Sequence, residues 1–302
     1  MKDAHADVAP LAVQSGRRPR TAFQDLVALT KPRLNVLVVA TSAAGYYMGA
    51  AGTVTALPML RAVAGTALVA AGAAALNQLY ERDTDALMGR TRLRPLPDGR
   101  VSPHDALIFG TALAVSGLLA LAFTNALAAI LAVTTLVVYL AIYTPMKRRT
   151  PGATLVGAVP GALPPLIGWA AGSGSASFGG WTLFAIVFLW QIPHFMAIAW
   201  MFRDDYRKAG FPMLPVVEPN GLRAGRQALM YSVALLPVSL LPTAAGVSGW
   251  GYFWTALVLG VALVALAGRF SSHRTDTSAR ALFYGSIMYL PLIWIAMILD
   301  LS

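Results

Sequence analysis

Cysteine is absent from this 302-residue chain, which excludes disulfides, thiolate-bound metals and a cysteine nucleophile. Charge is scarce too: Asp, Glu, Lys and Arg make up 12% of the residues, against 57% hydrophobic. Soluble domains are roughly a quarter charged, so the composition excludes an ordinary soluble domain and points to an integral membrane protein. Acidic residues are the rarer sign, 13 against 23 basic, and the formal net charge is +10. Such an excess can mark a nucleic-acid binder, but the basic residues never gather in one patch. They recur in short groups between apolar runs, as membrane topology requires, and no nucleic acid is expected as a partner. Residues 1–25 hold Arg17, Arg18 and Arg20 but no apolar core of signal-peptide type. They are expected to be a disordered cytoplasmic tail, with a single membrane domain over 26–302.

A run of about 20 apolar residues crosses a bilayer. By that measure nine spans are expected, near 34–50, 57–79, 104–122, 126–144, 153–171, 182–202, 229–247, 252–268 and 282–300. The fold class is therefore an all-α polytopic membrane protein. With nine spans, every basic residue except Arg61 falls on one side, a bias that places the amino end inside and the carboxyl end outside. The two longest inner connections follow the second and sixth spans. If the first eight spans form two four-helix halves, those loops occupy equivalent positions and face each other over one cavity.

The polar residues that remain lie at the inner ends of spans. Asn77, Glu81 and Asp85 are four apart, which on a helix puts them on one face. Boundary carboxylates in membrane proteins are costly and usually functional. Mg²⁺ takes one or two carboxylates and completes its octahedron with water and phosphate oxygens, so this face suits a metal; the competing reading is a solvated helix end paired to Arg82 and Arg90. Asp83 points elsewhere. Arg90, Arg94, Lys147 and Arg148 follow at the same boundary and could take diphosphate oxygens, although topology alone would also place basic residues there. Tyr143 stands beside them. On the sixth span His194 follows Pro193, and Asp204, Asp205, Arg207 and Lys208 form a second mixed cluster. A mixed cluster in each half favours a metal–diphosphate site over solvated helix ends.

These motifs resemble those of the UbiA family of intramembrane prenyltransferases, and within it the branch that farnesylates haem. The matching stretches are Thr30–Arg33, Asn77–Asp85 with Met88, Arg90–Thr91, Arg94–Leu96, Tyr143–Thr144 with Lys147–Arg148, Gln191–Phe195, Asp205–Tyr206 with Ala209–Gly210, Pro212–Pro215 and Tyr289–Leu292. The resemblance runs from about residue 26 to the end. It implies nine helices around a central cavity, in which Mg²⁺ on two acidic motifs holds an isoprenyl diphosphate. It also implies transfer of a farnesyl group from farnesyl diphosphate to the 2-vinyl group of haem b, giving haem O. By the resemblance, Asn77, Glu81, Asp85, His194 and Asp205 are catalytic, Asn77, Glu81, Asp85, Asp204 and Asp205 hold metal, and Arg90, Arg94, Lys147, Arg148 and Lys208 hold diphosphate. The implied setting is a bacterial inner membrane, with the next enzyme of haem A synthesis as a further partner. Where other branches carry Asp at the middle of the first motif, this chain has Glu81, and its second motif is poorer in Asp. Two rivals stay open on the residues alone: another acceptor, such as a quinone precursor, or a secondary transporter.

Overall fold

The computed structural model describes residues 21–51 and 53–302. The expected tail over residues 1–20 lies outside the described residues. The chain first forms α1 (Ala22–Leu29), whose capping box pairs Thr21 with Gln24. The boundary expected at 25–26 therefore falls inside a helix, and Asp25 is buried against Arg100 at 3.1 Å. α2 (Pro32–Gly49) follows at a 50° bend. At the break Lys31 adopts left-handed backbone, φ 49°, while Pro32 supplies the first helical residue, a position where its missing N–H costs nothing.

Next come α3 (Ala56–Tyr80), the single turn α4 (Arg82–Asp85), α5 (Pro103–Ala122) and α6 (Ala126–Leu136). α6 widens into a π-helical segment, Val137–Tyr143, and closes with α7 (Thr144–Met146). The second half holds α8 (Ala153–Ser173), α9 (Phe178–Met201), two short helices, α10 (Arg203–Lys208) and α11 (Leu214–Val217), then α12 (Leu222–Ala244), α13 (Trp250–His273) and α14 (Asp276–Leu299). Eight of these, with α6 to α7 taken as one, are long and apolar enough to cross a membrane, and the bent α1–α2 pair makes the ninth. The all-α polytopic class is as expected.

Several helices outrun their apolar stretches. α12 starts seven residues before the expected 229, α14 starts six before 282, and α13 continues five past 268. Arg223, Arg226, Arg269 and Arg280, expected in loops, thus sit on helical turns. Hydropathy marks where lipid ends; the helix ends where a cap satisfies its free backbone groups, as Thr275 and Ser278 do for α14.

Lipid offers helices no hydrophobic reward for associating, so close packing at small residues holds them together. α3 and α5 meet through Gly72, where a Cβ would sit 2.6 Å from Gly110 O, and through Gly117, 2.6 Å from Gly65 O. α2 and α8 pack more tightly still, Gly168 lying directly on Ser42 O. α9 is the most enclosed span, whereas the α6–α7 span is the most exposed to lipid.

Candidate active site

α3 ends at Tyr80, yet its pitch continues: Glu81 N donates to Asn77 O at 2.9 Å and Asp85 N to Glu81 O at 2.8 Å. Asn77, Glu81 and Asp85 therefore stay on one side, and all three are at most 3% exposed. Asp83, paired with Arg82, faces solvent. Buried polar groups need partners, and three basic side chains provide them, two for the carboxylates and one for the amide. Lys31 Nζ donates to Asn77 Oδ1 at 3.2 Å, Lys147 Nζ to both oxygens of Glu81 at 3.0 and 3.1 Å, and an Arg94 guanidinium nitrogen to Asp85 Oδ2 at 2.6 Å. Asn77 Nδ2 donates to Thr144 Oγ1, which in turn donates to Tyr139 O five residues back, the spacing of a π turn. Thr91 Oγ1 donates to Asp85 O at 2.7 Å and folds the following loop beneath it. Lys31 sits at the break before α2.

One acceptor is left over. Asp85 Oδ1 is buried and has no hydrogen-bond partner. A lone carboxylate oxygen, on the same face as the Glu81 carboxylate and the Asn77 amide, is the hard-oxygen chemistry that Mg²⁺ prefers, so the residues fit that ion. Among the described residues no group of three His, Cys, Asp or Glu side chains gathers around a point. The protein oxygens are thus too few to enclose a metal, and phosphate or water oxygens must complete its shell.

The second motif comes alongside through its loop. Asp205 lies 3.7 and 3.9 Å from where a Cβ on Gly89 would stand, so its carboxylate faces the loop after α4. Met88, from that loop, is buried in one cluster with Tyr206, Phe211 and Met213. Lys147 Nζ rests 4.5 Å over the Phe211 ring, and Arg90 stacks at 4.8 Å on Phe202 and 5.7 Å on Tyr206. The two long loops meet, as their equivalent positions suggested.

Other expected site residues stand apart. Asp204 is 70% exposed and paired with Arg207 at 2.6 Å; neighbours on a helix point about 100° apart, so only one of Asp204 and Asp205 can face the loop. Lys208, at the end of the same helix, is exposed. Arg148 is exposed as well, over Tyr80 at 5.6 Å, and Tyr80 itself is half exposed. His194 makes no contact with the acid cluster. Its Nδ1 bonds Ser286 Oγ at 2.8 Å, and its ring is stacked between Trp190 and Phe283, each at 5.1 Å. In return, the structure brings in Lys31, Tyr139 and Phe211, and gives contacts to Thr91 and Thr144, which the matching motifs already held. Lys31 had been visible only as a topological charge and a matching residue; Thr144 and the Tyr139–Tyr143 stack, 5.5 Å apart, depend on the π segment. Two clefts, about 330 and 460 Å³, are lined by none of Asn77, Glu81 and Asp85, although the larger runs along Arg82, Asp83 and Ala86 beside them.

A sequence profile of the UbiA prenyltransferase family matches residues 38–293. The chain belongs to that family. It is 46% identical over 288 residues to a protoheme IX farnesyltransferase of Solibacter usitatus, covering 92% of this chain and 99% of that one. A protoheme IX farnesyltransferase of Opitutus terrae is 44% identical over 280 residues, with 92% and 95% covered. The fold is that of solved family members. A digeranylgeranylglyceryl phosphate synthase superposes with a TM-score of 0.79 at 18% identity, covering 92% of this chain and 98% of that one. A UbiA homologue from Archaeoglobus fulgidus, bound to GPP and Mg²⁺, gives 0.64 at 15%, covering 90% and 99%. The chain is an integral membrane prenyltransferase by family.

Proposed function

We propose that this protein moves a farnesyl group from farnesyl diphosphate to the 2-vinyl group of haem b, forming haem O and diphosphate. Near-full-length identity to protoheme IX farnesyltransferases supports the substrates. The observation that carries the chemistry is the buried row of Asn77, Glu81 and Asp85, with one unpartnered carboxylate oxygen, ringed by Lys31, Arg94 and Lys147. Its place at one end of the helices, rather than at mid-membrane, disfavours a transporter.

Diphosphate leaves with the electron pair of the allylic C–O bond, so the site must stabilise charge that grows on the leaving oxygens. Mg²⁺ held by Asn77, Glu81 and Asp85, with Asp205 across the loop, would neutralise part of that charge. Arg94 and Lys147 donate to the remaining phosphate oxygens, and Arg90 sits beside them on its aromatic shelf. The Tyr139–Tyr143 stack offers faces that stabilise an allylic cation without attacking it. The vinyl π electrons form the new C–C bond, and water adds to the resulting cation and loses a proton, completing the hydroxyethyl group. Met88 and its cluster exclude bulk water that would otherwise quench the farnesyl cation.

We further propose a bacterial inner-membrane location with the basic end cytoplasmic and the carboxyl end outside, and the next enzyme of haem A synthesis as recipient of the product. Haem extraction after expression in a host lacking haem O tests the assignment. Haem O is expected; unmodified haem b alone, with prenylation of a quinone precursor instead, would overturn the acceptor.

A further inference from the structure

Three basic side chains from three separate stretches of chain reach the three side chains of the row. Lys31 takes Asn77, Lys147 straddles the Glu81 carboxylate, and Arg94 takes Asp85. Lys31 does so from φ 49°, a backbone state that a lysine keeps only where its surroundings impose it. The Lys31, Lys147 and Arg94 head groups all end on the face that carries Asn77, Glu81 and Asp85, so the five charged groups form one cluster. Two carboxylates thus face three basic groups. A divalent cation entering among these oxygens would be repelled by all three. A diphosphate reverses the balance: its oxygens can take the basic groups, while the freed carboxylate oxygens take the metal.

We propose that Lys31, Arg94 and Lys147 form one exchangeable cation set. It holds the acidic row until a diphosphate draws it away, so that divalent metal and diphosphate bind together and neither binds well alone. This rests on the prenyl-diphosphate reading above and adds to it the role of Lys31 and the coupling of the two ligands. Linkage makes the coupling reciprocal: each ligand raises the other's affinity by the same factor.

The test uses the full chain in detergent micelles, with Mn²⁺ followed by electron paramagnetic resonance and inorganic pyrophosphate by calorimetry. Complexation of the two in buffer is subtracted. Each is expected to tighten the other on the order of tenfold or more. Lys31→Met and Lys147→Met distinguish exchange from mere scaffolding. Removal of one cation should tighten Mn²⁺ alone, weaken pyrophosphate and reduce the coupling, whereas a scaffolding lysine would weaken both ligands. Equal Mn²⁺ affinity with and without pyrophosphate, or weaker Mn²⁺ binding in both variants, overturns the proposal. The same preparation is assayed for diphosphate release from farnesyl diphosphate and haem b. Turnover with uncoupled binding overturns the exchange alone; absence of both turnover and pyrophosphate binding overturns the reading beneath it.

Discussion

Asp85 is 1% exposed and satisfied through only one of its two oxygens. An amide in its place could still accept from Arg94 but would lose the negative charge. Asp85→Asn is therefore expected to cut farnesyl transfer by about 10²–10³, the loss seen when one charge-stabilising group is removed. The variant should keep its thermal transition, read by tryptophan fluorescence in detergent; activity at the wild-type level would contradict the assignment. Asp204 and Asp205 give the complementary contrast. Asp204→Asn touches only an exposed ion pair with Arg207 and should leave turnover unchanged, while Asp205→Asn should lower it; the reverse order, in a haem O assay, would exchange their roles. Periodicity made the acidic row legible, because i, i+4 spacing alone fixes a shared face. Its basic partners were not legible as partners. Lys31 and Lys147 lie 46 and 66 residues from the oxygens they meet, and spacing along the chain says nothing about which loops converge.

The helices show where apolarity is a good ruler and where it fails. It located every span but misplaced the starts of α12 and α14 and the end of α13, because charged terminal turns remain helical beyond the lipid. It was blind to the π segment in Val137–Tyr143, since a wider turn leaves an apolar run looking the same. It also could not tell that α2 and α8 come together at Gly168. A methyl group there would press on Ser42 O, and neither backbone can move without separating the helices. Gly168→Ala is expected to destabilise the protein by about 1–3 kcal/mol, checked as a lowered unfolding midpoint in detergent titration. His194 belongs to this scale too. Its bond to Ser286 ties α9 to α14, a packing role that a lone intramembrane histidine could be suspected of but not assigned from sequence.

Across the whole molecule, the sequence is expected to put all but one of its 23 basic residues on one side, and the acidic row, Lys31, Lys147 and Asp205 come together at one end of the helices. A reporter fused after Ser302 should accordingly be active only outside the cytoplasmic membrane, as alkaline phosphatase is, while one in the Arg90–Arg100 loop should be silent; the opposite pattern would invert the orientation. Met88, in its pocket of Tyr206, Phe211 and Met213, joins Arg90 on Phe202 and Tyr206 in holding the two loops of that end together. Burying one such side chain is worth roughly 1.5–3 kcal/mol, which leaves the separated arrangement at about one molecule in ten to one in a hundred and fifty. Truncating Met88 would therefore raise the share of the separated arrangement without removing any group that meets metal or phosphate, and the expected cost is water reaching the site rather than weaker binding.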